Sequence, residues 1–182
     1  ATTEIYTLSL HYALPIYNTL DVVRGVVESG RADEIALYTG NDDNILVDLL
    51  TEFEIAYAGR DKEAYHRRTA WPLGGMNSNA VRLLDDVHAG KFNNDVPGAL
   101  TLAARITDSN AAFFDAANNF KGCIAGIHEV LRRQGLLEGV WTLDRDEGLS
   151  PGQKEEIDRV YRAYPEMNDD LFVAENLDKW LK

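Results

Sequence analysis

Apolar residues along this chain recur mostly at helical spacing, interrupted by a few short runs that lack it. Thr19 precedes Leu20, Val22, Val23, Val26 and Val27, and the pattern stops at Gly30, which predicts a helix with an N-cap and a C-terminal glycine. Ile35-Ala36-Leu37-Tyr38 is a brief apolar run bounded by Asp33-Glu34 and Gly40-Asn41, as expected of a parallel strand buried on both faces. A second helix is predicted from about Asn44, with Ile45, Leu46, Leu49 and Leu50 on one face. Phe53, Ile55 and Tyr57 alternate with polar or small residues as a weaker strand, and Gly59 to Arg68 reads as a charged, solvated loop or strand end.

Trp71 to Met76 reads as a strand end and glycine turn, leading to Ser78 as the N-cap of a helix that carries Val81, Leu84 and Val87 and stops at Gly90. From Asn93 the pattern is almost wholly helical. Leu100, Ala104 and Ile106 mark one segment, and Phe113, Phe114 and Ala117 the next. Phe120, Ile124, Ile127 and Leu131 form a stripe that ends at Gly135, behind the basic pair Arg132-Arg133 that suits a helix C-terminus. Ser150-Pro151-Gly152-Gln153 predicts a capping serine, proline in the first turn and a capping glutamine, opening a helix with Ile157, Val160, Tyr161 and Tyr164 that Pro165 closes. Val173, Leu177, Trp180 and Leu181 mark a last amphipathic segment expected to pack back on the body.

The order helix, strand, helix suggests turns of an α/β barrel or layered sheet. Hydrophobic residues make up 45% of the 182, with no apolar run long enough to span a bilayer, so a soluble cytoplasmic protein is expected. A net charge of -12 repels nucleic acid, and the one basic cluster, Arg60, Lys62, Arg67 and Arg68, is diluted by Asp61 and Glu63. The single cysteine, Cys123, excludes an internal disulfide framework and reads as a buried structural thiol.

Residues 4–16, Glu4 through Ile16, resemble a translated sequencing adapter, with Tyr12 where Asp would stand. Natural sequence is then expected from about Tyr17, as the back part of a larger protein, and residues 1–16 are set aside from fold reasoning.

Asp42 and Asp43, just past a buried strand, stand where barrel enzymes place functional groups; turning the chain and capping the next helix is the competing role for Asn41 to Asp43. His66, His88 and His128 fall in unrelated segments without ligand spacing, so no metal is predicted, and no cofactor. Gly74-Gly75 could cradle an anion, although a plain turn suits two glycines better. A Schiff-base lysine must be desolvated, yet Lys62, Lys91, Lys154, Lys179 and Lys182 lie in polar or terminal contexts, and Lys121 is placed facing solvent.

Ile35 through Asp43 resembles the seventh strand of the dihydrodipicolinate synthase and N-acetylneuraminate lyase superfamily, an apolar run ending in a Ser/Thr-Gly-Asp-Asp type of turn. Asn119-Phe120-Lys121 through Leu131, Gly135-Leu136, and Leu149-Ser150 through Ile157 resemble its C-terminal helices. The segment from Glu147 to Trp180 is more similar to a largely bacterial branch of that superfamily than to the synthases. The resemblance implies an α/β fold, the C-terminal part of a (β/α)8 TIM barrel followed by a mostly helical domain. It divides the chain into a partial barrel at 17–90, a helical domain at 91–165 and a tail helix at 166–182.

The implied parent is a class I aldolase-type lyase or synthase acting on pyruvate or a related 2-keto acid, and a homo-oligomeric parent is compatible with it. The lysine and tyrosine of that chemistry would precede Tyr17, so the chain itself is expected to be inactive. Gly40 matches the family's strand-seven glycine near the substrate, with Thr39 and Asp42 as neighbours. The chain departs from the pattern after Leu50, where no Gly-Val-Ile-Ser type of eighth strand follows at βα spacing; Trp71 to Met76 is the displaced candidate. Two other readings stand: a non-catalytic helical module that binds a protein, and a barrel enzyme of different chemistry that binds an anionic group at Gly74-Gly75. No nucleic acid or membrane partner is expected.

Overall fold

The structure, a computed structural model, describes residues 8–10, 16–32, 34–35, 37–56, 63–66, 77–144 and 146–182, with backbone alone at 8–10, 16–18, 38–39, 63–66 and 77. It is mostly helical. The elements run β1 (Leu8–Leu10), α1 (Ile16–Glu28), β2 (Leu37–Thr39), a 3-10 turn (Asp42–Asn44), α2 (Ile45–Leu50), β3 (Glu52–Ile55), β4 (Glu63–His66), α3 (Asn77–His88), α4 (Val96–Phe113), α5 (Cys123–Arg133), α6 (Gln153–Ala163) and α7 (Asp170–Trp180), with short 3-10 turns at Ala116–Asn118 and Pro165–Met167. The chain divides into two compact units: Ala1–Trp71 with Asp95–Ala103, and Pro72–Asn94 with Ala104–Lys182.

The expected partial TIM barrel is not what forms. No more than two strands pair anywhere among the described residues: β1 with β2 in parallel, Leu8 opposite Leu37, and β3 with β4 antiparallel, Phe53 opposite Tyr65. The physical reason lies in how the apolar run at 35–38 is used. Only three residues become strand, and Leu37 is buried with Val23, Val26 and Val27 of α1, with Ile35, Phe53 and Ile55 packed at the edge of the same cluster. Among the described residues one helix covers it, whereas a barrel strand needs neighbours on both edges and layers on both faces.

In this first unit α1 forms as its valine stripe predicts, but begins at Ile16 and ends before Gly30, whose φ of +68° suits a residue without a Cβ. β3 shows the alternation expected, with Glu52 and Glu54 exposed and Phe53 and Ile55 half-buried. The stretch read as a charged, solvated loop or strand end supplies its partner, β4. Tyr57 and Trp71 to Met76, including Gly74-Gly75, lie outside the described residues.

In the second unit α3 starts one residue before Ser78, and Ser78 is not its N-cap. Asp169 takes that role from 91 positions away: its carboxylate accepts from the Ser78 amide at 2.8 Å, the Ser78 hydroxyl at 2.6 Å and the Asn79 amide at 3.2 Å. These bonds satisfy first-turn donors that have no partner within a helix.

On α5 the buried face is Ala125, Gly126, Glu129 and Val130, while Phe120 and Ile124 of the expected stripe are exposed. Glu129 is 2% exposed and is held by Arg132 at 2.7 and 2.9 Å and by Arg133 at 2.9 Å; Arg133 in turn reaches Asp158 on α6 at 2.6 Å. The hydrogen bond from Arg132, helped by Arg133 and opposed by burial, holds Glu129 down at about 2. Because the folded value lies below the ordinary 4.5, the stabilisation is complete above that pH and is lost as pH falls from there towards 2. Acid titration of unfolding should therefore show a loss on the order of 2–3 kcal/mol across that window, which Glu129→Gln removes.

Candidate functional site

Thr39, Gly40 and Asp42 fall together in one turn of the first unit, where β2 passes into the 3-10 turn. The side chain of Thr39 lies outside the described residues, and Gly40 is half-buried. The Gly40 carbonyl accepts from the Asp42 amide at 3.1 Å and the Asn41 carbonyl from the Asn44 amide at 3.2 Å, so the segment turns the chain as its competing role required. The expected side-chain caps do not form; Asn41 and Asn44 instead reach the Asp48 carboxylate at 3.4 and 3.3 Å.

Burial, and after it the adjacent Asp43 charge, raises the Asp42 carboxyl from 3.8 to about 6. An acid whose folded value is raised costs stability on ionising, so stability should fall as pH rises from about 4 to about 6. With half-exposure screening the charge, the cost is about 1 kcal/mol. Asp42→Asn should flatten that slope in thermal unfolding at pH 4.5 and 7.5.

The best-defined polar site lies in the second unit, where the end of α4, the turn before α5 and the start of α6 converge. Asp115, 3% exposed, accepts from the Gly122 amide at 2.8 Å, from the Ser150 hydroxyl at 2.5 Å and from Asn118 Nδ2 at 2.7 Å. Burial pushes its carboxyl up, but the bonds from Asn118, Ser150 and Gly122 outweigh it and leave the group below its ordinary 3.8. Gln153, also 3% exposed, donates to the Gly122 carbonyl at 2.9 Å and the Phe113 carbonyl at 3.3 Å, and its Oε1 accepts from the Ser150 amide at 3.0 Å. The capping pair expected at Ser150 and Gln153 is thus half present: the glutamine bonds the serine amide, while the serine hydroxyl turns to Asp115 and Gly152 is the α6 N-cap.

Asp115, Asn119 and Phe120 hold φ of 63°, 55° and 63°, the left-handed region that Asp and Asn tolerate and a bulky residue resists. Beside the junction opens a cleft of about 430 Å³, with Asp108, Asp115, Gln153, Glu156 and Arg159 among its walls. Arg159 grips Asp108 with two bonds of 2.8 Å and reaches Glu156 at 2.8 Å, and the Tyr164 hydroxyl donates to Asp108 at 2.9 Å. The bond from Arg159 is the main reason that Asp108 stays below the usual carboxylate range.

Chemically this arrangement binds its own chain. A general base should titrate near the working pH, and both cleft aspartates are shifted the other way. Ser150 donates to Asp115, a carboxylate that resists protonation and so is a poor base for activating it as a nucleophile. Among the described residues no three His, Cys, Asp or Glu side chains gather as a metal site. Cys123, expected buried, is half-buried and in no disulfide.

Every described lysine is exposed, with Lys91 ion-paired to Asp86 and Lys179 donating to Asn176 at 3.4 Å. Lys62 lies outside the described residues, as does the basic cluster around it.

Sequence reasoning missed Asp115 and Gly122. The available signal was Asp115 set between Phe113-Phe114 and Asn118-Asn119, a polar break between helical stripes. Comparison with protein-family models, curated proteins and solved structures finds no match to the chain. No helix among the described residues is long and apolar enough to cross a membrane.

Proposed function

We propose that this polypeptide is catalytically inert by itself. Its helical unit serves as a non-catalytic module of a lyase or synthase that forms a Schiff base with pyruvate or a related 2-keto acid. The reacting lysine and the proton-shuttling tyrosine come from other sequence, and the setting is a reducing cytoplasm, which suits a sequence with a single cysteine.

The observation that carries the reading is the fate of the polar groups. At the buried junction Asp115, Gln153 and the Gly122 backbone are consumed by hydrogen bonds within the unit, and the described lysines stand in water. An amine forms an imine readily at neutral pH when desolvation or a nearby cation lowers its pKa, and the exposed setting of the described lysines supplies no desolvation. The class of chemistry comes from the family resemblance alone, which rests on Ile35 to Asp43 and on the segments that become α5, the turn at Gly135 and α6.

The test is borohydride reduction in the presence of pyruvate, followed by intact-mass measurement. The chain is expected to gain no reduced adduct, and a longer natural product containing it is expected to gain one on a lysine outside these residues. An adduct on any lysine of this chain overturns the proposal, as does a longer product that no 2-keto acid labels.

A further inference from the structure

We propose that the outer face of α7 is a self-association surface, the occupant being α7 of a second copy in antiparallel orientation. Of its eleven residues only Val173 is buried, and Leu177 is half-buried against the turn at Gly135, so one side of the helix is already covered by its own unit. On another side Phe172, Asn176 and Trp180 follow at i, i+4 and i+8, which aligns them in one stripe. Phe172 and Trp180 are 41% and 49% exposed, yet their rings already meet edge-on at 5.7 Å. Two aromatic side chains are thus held in place in water, and little further ordering is needed when a partner arrives.

The stripe is self-complementary. A two-fold axis through Asn176, lying across the helix, sets Phe172 of one copy opposite Trp180 of the other, twice over. Glu175 and Lys179 flank the stripe on the same side, both exposed. The same axis brings Glu175 of each copy within about one turn of Lys179 of the other, as reciprocal opposite-charge pairs, and it opposes the two helix dipoles. A parallel pairing would set like charges together.

The acidity of the chain, with Glu175 flanking this stripe, disfavours an anionic lipid surface as the occupant. The two rings leave roughly 100 Å² each uncovered, well short of the ~800 Å² per partner of a standard interface, so the dimer is weak and concentration-dependent.

Sedimentation equilibrium of the full chain tests this. A monomer–dimer equilibrium is expected, abolished by Phe172→Ala with Trp180→Ala at unchanged far-ultraviolet circular dichroism. Glu175→Lys or Lys179→Glu alone should weaken it about tenfold, as two like-charge pairs replace attractive ones, and the double exchange should restore it. A chain that stays monomeric up to the order of a millimolar, a dimer indifferent to loss of both rings, or a charge exchange that restores nothing overturns the proposal.

Discussion

Gly126→Ala is expected to destabilise the helical unit by about 2–3 kcal/mol, although alanine favours a helix over glycine by about 1 kcal/mol. A Cβ at 126 would overlap the Phe113 carbonyl oxygen and press on Gln153 Nε2. The methyl can enter only by moving α5 away from the end of α4 or by displacing the Gln153 amide from Phe113, so strain is joined by a broken buried hydrogen bond. The control is Gly25→Ala. Gly25 is also a helical glycine, inside α1, with nothing within 4 Å of the added methyl. It should be neutral or stabilise by up to about 1 kcal/mol. Urea unfolding of the two variants should therefore give shifts of opposite sign, and equal shifts would show that the close approach at Gly126 is not real.

Asp115→Ala should cost about 3–4 kcal/mol. It deletes the acceptor for the Gly122 amide, the Ser150 hydroxyl and Asn118, leaving a buried N–H without a partner, a loss of about 1–3 kcal/mol by itself. Alanine also tolerates φ of 63° less well than aspartate. Asp115→Asn keeps the backbone preference and one acceptor oxygen, so about half the loss is expected. Since the carboxylate sits below its ordinary value, its contribution is complete above about pH 4 and fades as pH falls through the lowered value. Denaturation of both variants at pH 7 and pH 3 checks the magnitude and the sign, and an Asp115→Ala loss below about 0.5 kcal/mol would remove the junction from the stability of the unit.

Elements with a strong local signal were legible in the sequence. The valine stripe of α1 and the Ser150 to Pro165 frame of α6 come from spacing and end signals within a dozen residues, and the structure places both within a few residues of expectation. The barrel was misread because an apolar run such as Ile35 to Tyr38 looks the same whether helices cover both its faces or one helix covers one; only long-range pairing decides. β4 was hidden by its charges, which a ribbon tolerates where one face is solvated, as Glu52 and Glu54 on its partner strand show.

Phe120, just before α5, and Ile124 on it suggested the inward stripe, but Gly126 lets the helix approach so closely that the face of Ala125 and Gly126 turns inward. Ser78 and Ser150 were both read as caps of the helices they open, and each instead gives its hydroxyl to an aspartate from distant sequence, Asp169 and Asp115. Asn41 to Asp43 were legible as a turn, since turn chemistry is local. The Asp115 junction was invisible because its partners are as far as 35 positions away.

Amide hydrogen exchange at Gly122 and Ser150 tests most directly that the buried polar groups are spent on holding the chain together. Neither N–H has a backbone acceptor; one is bonded to Asp115 and the other to Gln153. Slow exchange matching the core amides of α5, lost at Gly122 in Asp115→Ala and at Ser150 in Gln153→Ala, is the predicted result. Fast exchange at both positions in the unaltered protein would contradict it, leaving Asp115 and Gln153 free for chemistry.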